Sequence, residues 1–125
     1  MTNNETDAGS MLTVVVNGQA VVEYDRRKPL AAHQRLYIDR MDRDMDSGFH
    51  LEGRYLESPD PQARARFTAV SLVQALKAGN DALAAATCAY LALRLPQLKQ
   101  VQAQTKDGQL HIDLVFDKPH VPAQT

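Results

Sequence analysis

Residues 11–24 read MLTVVVNGQAVVEY, two runs rich in β-branched side chains on either side of Asn17-Gly18. Asn-Gly tolerates positive φ at both positions, as a two-residue type I′ turn requires, so the stretch predicts a β-hairpin. Its expected register sets Val15 opposite Ala20 and Thr13 opposite Val22 on one side, with Val14 opposite Val21 and Leu12 opposite Glu23 on the other. Both sides are largely apolar, so the hairpin is expected to be covered on both faces or buried in a dimer.

The same pattern recurs near the other end of the chain. Val101, Ala103 and Thr105 alternate on one side of Asp107-Gly108, and Leu110, Ile112, Leu114 and Phe116 on the other. That predicts a second hairpin pairing Ala103 with Ile112 and Val101 with Leu114, with Gln102, Gln104, His111 and Asp113 in water. Between the hairpins, apolar residues at Leu30, Tyr37, Ile38, Met41 and Met45 fit a helical period, giving a first helix that ends near Gly48. Residues 49–57 show no clear period. Asp60 as N-cap with Pro61 at the first helical position starts a second helix, expected to run to about Ala78 with Ala63, Phe67, Val70, Val73 and Leu76 toward the core. Gly79 closes it and Asn80 caps a third helix, Asp81 to about Leu95, which is apolar nearly all round, stops at Pro96 and should be the buried central one. The order ββαααββ predicts an α+β fold: two β-hairpins forming an antiparallel, four-stranded sheet, with three helices packed on one face. Residues 1–10 read as a disordered tail, 11–116 as a single α+β domain and 117–125 as a flexible C-terminal tail.

Bulk properties narrow the function classes. A chain of 125 residues suits one domain, and a formal net charge of −1 offers no electrostatic case for nucleic acid or an anionic membrane. The uncharged run Ala82 to Leu93 falls short of the roughly 20 apolar residues that span a bilayer. The opening MTNNETDAGS has neither the basic start nor the apolar stretch of a secretory signal, and the lone Cys88 suits a reducing compartment, so a cytoplasmic location is expected. Trp is absent, which removes a common stacking platform for bases.

Residues 39–48, DRMDRDMDSG, hold the densest charge. Asp42, Asp44 and Asp46 reproduce the first three ligands of an EF-hand loop, but Ser47 stands where the loop needs glycine and Gly53 where it needs the bidentate acid. A less specific divalent-metal site would use Asp42, Asp46 and His50, provided the helix continues past Gly48. The alternative is a solvated helical face of Arg35, Asp39, Arg40, Arg43 and Asp44, self-neutralised through Arg35/Asp39, Asp39/Arg43 and Arg40/Asp44.

Other candidates are weaker. Cys88 has no local base and reads as a small buried hydrophobe. The four histidines, His33, His50, His111 and His120, lack paired ligand spacing. No phosphate-binding loop or nucleophile elbow occurs, and no cofactor is implied. Arg26-Arg27-Lys28 reads as a solvated loop. The helices meeting at Gly79 resemble one tetratricopeptide unit at Gly79, Ala84, Ala92 and Pro96, but that architecture needs about three copies and none follows, so an ordinary αα-hairpin is expected. An enzyme assembled from distant residues would show His33, Tyr37 and an acid converging in a cleft. With no local catalytic constellation, the chain reads as a non-catalytic protein-interaction or regulatory module acting as a homodimer, its partner itself or another protein. A metal-binding or metal-sensing protein is the rival reading.

Overall fold

Asn17 and Gly18 both adopt positive φ, 50° and 83°, and join β1 (Met11–Val16) to β2 (Gln19–Asp25) as the turn chemistry requires. The structure is a computed structural model describing residues 11–120; residues 1–10 and 121–125, assigned above to tails, lie outside the described residues. Next in order come α1 (Ala32–Asp46), β3 (Phe49–Leu51), β4 (Arg54–Leu56), α2 (Pro61–Ala78), α3 (Asp81–Arg94), β5 (Gln100–Lys106) and β6 (Gln109–Val115). The described chain is therefore α+β, with a four-stranded and a two-stranded sheet, and it divides into two compact units. One is a sheet unit, formed up to Pro29 and again from Leu95; the other is a helical unit, residues 30–94.

In the sheet unit the strand order is β2-β1-β5-β6, and β1 pairs with β5 in parallel. The expectation of a wholly antiparallel sheet is thus corrected to a mixed one. The difference lies in which strand of each hairpin is buried. Leu12, Val14 and Val15 of β1 and Val101 and Ala103 of β5 are fully buried, so each hairpin turns its first strand to the centre and leaves its second strand at an edge. Here the two first strands run the same way, and a parallel pair belongs where both faces are covered. Thr13 and Gln100, which lie on the opposite face from Leu12, are buried as well. Gln100 Nε2 donates to the Lys118 carbonyl (3.0 Å), and the Gln102 amide donates to Gln100 Oε1 (2.6 Å). Asn17 ties its turn to β5, its N–H donating to Ala103 O (2.8 Å) and its Oδ1 accepting from Thr105 N–H (2.9 Å).

The first hairpin departs from its expected register. Val15 still faces Ala20, but the ladder then shifts, so that Val14 faces Val22, Thr13 faces Glu23 and Leu12 faces Tyr24. Val21 is the extra residue of a β-bulge and stands 46% exposed. The shift places Tyr24 beside Leu12 and moves Glu23 away from it. The second hairpin holds the expected register, Ala103 with Ile112 and Val101 with Leu114, across a turn with Asp107 at φ 54° and Gly108 at 76°. Arg26 is not a solvated loop residue, since its guanidinium donates to the carbonyls of Leu95 (3.0 Å) and Leu98. Arg27 pairs with Asp25 (3.0 Å), which holds the Asp25 carboxyl well below the usual range, at about 2.

In the helical unit the capping residues act as expected. Asp60 Oδ1 accepts from Ala63 N–H (2.8 Å). At Gly79, φ 72°, the Gly79 and Asn80 N–H groups donate to Leu76 O and Ala75 O, a Schellman end, while Asn80 Oδ1 accepts from Leu83 N–H (3.2 Å) to start α3. The buried stripe of α2 differs from the expected one. Ala65, Thr68, Ala69, Leu72, Val73 and Ala75 are buried, while Ala63, Phe67, Val70 and Leu76 are only half covered. Small residues line that stripe because α2 packs along α3, half of whose buried residues are alanine. Short side chains let helix axes approach closely. Phe67 stacks instead on Phe49 of β3, ring centroids 4.2 Å apart. Cys88 is buried in α3.

Candidate functional site: the charged faces of the first helix

Helix α1 ends where the sequence puts Gly48. Ser47 is the C-cap and Gly48 sits at φ 93°, a conformation that favours glycine. The next residues form a hairpin that the absence of period had hidden, β3 and β4 around Glu52 (φ 53°) and Gly53 (φ 79°). From β4, the Tyr55 hydroxyl donates to the Ser47 carbonyl (2.7 Å), giving the helix end a partner. The ring lies so close that a Cβ on Gly48 would stand 2.5 Å from Tyr55 Oη and 2.6 Å from Leu56 O. Glu52 pairs with Arg66 of α2 at 3.3 Å, so the hairpin is fastened to both α1 and α2.

On α1 itself, Asp39, Asp42 and Asp46 stand at i, i+3 and i+7 and share one edge of the helix. That edge meets arginines from the other two helices. Arg94, the last residue of α3, reaches Asp42 Oδ2 at 2.7 Å and Asp39 Oδ1 at 3.2 Å. Arg64, in the first turn of α2, reaches Asp46 at 2.6 Å, lies 3.7 Å from Asp42 Oδ1 and donates to the Asp42 carbonyl at 3.1 Å. Tyr90 of α3 donates its hydroxyl to Asp42 Oδ1 (2.6 Å), and the Arg94 guanidinium sits 5.8 Å from the Tyr90 ring centre. Asp42 is therefore shared by three partners from two helices.

The electrostatics follow from that sharing. Burial pushes the Tyr90 hydroxyl well above the ordinary tyrosine range, reinforced by its bond to Asp42 and by that carboxylate's charge. Arg64 is raised chiefly by its hydrogen bond to Asp46. For Arg94, partial burial disfavours the charged form, but the bond to Asp42, its charge and the bond to Asp39 outweigh it, and its pKa too is raised. A tyrosine held protonated and arginines held charged cannot move protons near neutral pH. The cluster is built to clamp α1 onto α2 and α3.

The expected pairs Arg35/Asp39, Asp39/Arg43 and Arg40/Asp44 do not form among the described residues. Carboxylates expected to neutralise their own helix are taken by Arg64 and Arg94. Arg35, Arg40 and Arg43 are exposed and enter no ion pair among the described residues, with Asp44 exposed near them and Leu36 standing 69% exposed in their midst. The sequence reading missed Arg64, Tyr90 and Arg94. The i, i+3, i+7 spacing of the aspartates was the available signal, since it marks a continuous acidic edge needing outside cations.

The three residues named for a metal are held apart by their contacts. Asp42 turns to Tyr90 and Arg94, Asp46 to Arg64, and His50, on β3 beyond the helix end, lies against Tyr55 with ring centroids 5.0 Å apart. Among the described residues no cluster of three or more His, Cys, Asp or Glu side chains could hold a metal ion. His33 and Tyr37 do share a groove of about 660 Å³ with Gln34, Asn80, Leu83 and Ala86, and among the described residues no carboxylate lines it. Among the described residues no helix is long and apolar enough to cross a membrane.

The fold and this clamp define a small α+β protein whose acidic run is paired with arginines of the two other helices. Comparison with known proteins finds no matching family model, no similar curated protein and no similar solved structure.

Proposed function

We propose that this protein is a non-catalytic interaction module that acts as a homodimer and uses the outer side of α1 to hold an acidic surface of another protein. One observation carries the reading: Arg64 and Arg94 pair with Asp39, Asp42 and Asp46, leaving Arg35, Arg40 and Arg43 against the single carboxylate of Asp44 around exposed Leu36. Planar guanidiniums suit bidentate recognition of carboxylates, and an exposed leucine among them supplies an apolar anchor. Divalent-metal binding at Asp42, Asp46 and His50 is the rival. It would have to displace Arg64, Arg94 and Tyr90 from the same oxygens.

Capture from native cytosol tests the reading, comparing the wild type with a triple variant Arg35→Glu, Arg40→Glu, Arg43→Glu whose fold is checked by circular dichroism. The expected result is a set of bound proteins lost in the variant and released from the wild type by salt, which screens such contacts beyond about 8 Å at physiological strength. Equal capture by both proteins removes the reading. A calorimetric signal with Zn²⁺, Mn²⁺, Mg²⁺ or Ca²⁺ that disappears in Asp42→Asn would replace it with the metal one.

A further inference from the structure

The two edges of the sheet are not alike. On β2 the bulge at Val21 breaks the ladder and bends the strand, a recurrent way of blunting an edge against other chains. β6 carries no such protection. It runs seven residues, Gln109–Val115, in unbroken register with β5, without proline, lysine or bulge, and among the described residues it has a neighbour on one side only. The carbonyls of Lys99, just before β5, and of Ala103 accept bonds from the N–H groups of Thr13 and Asn17, so Gln100, Gln102 and Gln104 turn their backbone polar groups to β6. Their register partners Val115, Asp113 and His111 answer them, and the alternation leaves the N–H and C=O groups of Leu110, Ile112 and Leu114 facing outward.

We infer that β6 pairs antiparallel with β6 of a second copy about a two-fold axis at Ile112, joining two four-stranded sheets into one of eight strands. This rests on the homodimer reading above and names its interface. Ile112 is the middle residue of β6, so this register uses the whole strand and sets it against itself without overhang. It also sets each His111 opposite Asp113 of the second copy, an imidazole N–H donor against a carboxylate, in a pair whose side chains approach closely. Leu110 faces Leu114 of the second copy, both half-buried in the single chain, and Ile112 faces its own counterpart. Phe116, 41% exposed just past β6, extends over Gly108 of the second copy, where there is no side chain to obstruct it. A register centred on Leu110 or Leu114 shortens the overlap, and one centred on Asp113 sets two carboxylates face to face. Charge complementarity and strand length thus select the same axis.

His111 and Asp113 are exposed, and each faces only a glutamine within its own chain, so reversing their charges leaves the monomer's contacts intact. The experiment is sedimentation equilibrium over a hundredfold concentration range on the wild type, His111→Asp, Asp113→Lys and the double variant carrying both. The expected result is a wild type of twice 13.8 kDa, single variants shifted to the monomer mass, and a double variant restored to the dimer. A dimeric wild type whose single variants stay dimeric overturns the β6 interface and leaves the homodimer reading standing. A double variant that remains monomeric overturns the axis at Ile112. A wild type that is monomeric throughout overturns both the interface and the homodimer reading.

Discussion

The sheet unit and the helical unit are held together by different forces. In the sheet unit, Leu12, Val14, Val101 and Ala103 are completely buried, and most of the remaining order comes from backbone ladders and two tight turns. The helical unit also buries Ile38, Leu72, Val73 and Leu91, but α1 is fastened to its neighbours by Asp42, Arg64, Tyr90 and Arg94, three of them partly exposed. One unit relies on contacts that salt does not screen, the other on contacts that it does. The lesson is that an acidic run can be largely structural while deciding, by which of its carboxylates are paired, which charges remain available to a partner.

The largest expected effect tests the apolar half of this contrast. Leu12→Ala should destabilise by about 2–5 kcal/mol, because it opens a cavity at a fully buried position. Urea unfolding should show the same loss at 0.05 M and 1 M salt, and a loss that varied with salt would erase the contrast. Next, Gly48→Ala should cost about 3 kcal/mol, combining positive φ with a Cβ driven against the Leu56 carbonyl, and should detach Tyr55 from the end of α1. A cost under about 0.5 kcal/mol would show that the helix end is not held there.

Asp42→Ala should cost about 1–3 kcal/mol, discounted for the partial exposure of Arg64 and Arg94, and the loss should shrink at 1 M salt. A loss independent of salt would mean that shape rather than charge does the clamping. The smallest effects lie at the extremes of pH, and they separate the units. Tyr90 has its pKa raised on folding, so its contribution is complete below the unfolded value near 10 and lost as pH rises toward the folded one. Tyr90→Phe should flatten the alkaline decline. Asp25 is lowered to about 2, so its contribution is complete above the unfolded 3.8 and lost as pH falls toward 2, and Asp25→Asn should flatten the acid limb. Stability curves of the two variants that changed at the same end would contradict the assignment.

Turns and caps were legible because their chemistry is local. Asn17-Gly18, Asp107-Gly108, Asp60-Pro61 and Gly79-Asn80 each restrict φ or satisfy end groups within a few residues, and all act where the sequence placed them. The β3–β4 hairpin was not legible. Its strands of three residues are too short to show a period, and glutamate at the first turn position is an unfavoured occupant of positive φ. The bulge at Val21 was hidden as well, since a run of valines fits either register until Tyr24 finds its place beside Leu12.

By itself, then, the sequence determined the α+β class, the two long hairpins, the three helices and the end of α1 at Gly48, because each follows from periodicity or from the conformational preferences of adjacent residues. Only the tertiary structure decided that β1 and β5 run in parallel at the centre and that DRMDRDMDSG is clamped rather than self-paired. Both depend on residues from distant parts of the chain competing for the same place. At the centre of the sheet Thr13 of β1 meets Gln100 of β5, a pairing between residues far apart in sequence. Arg64 and Arg94, fixed by rigid helices, take carboxylates that the flexible arginines of α1 would have had to hold at a cost in side-chain entropy.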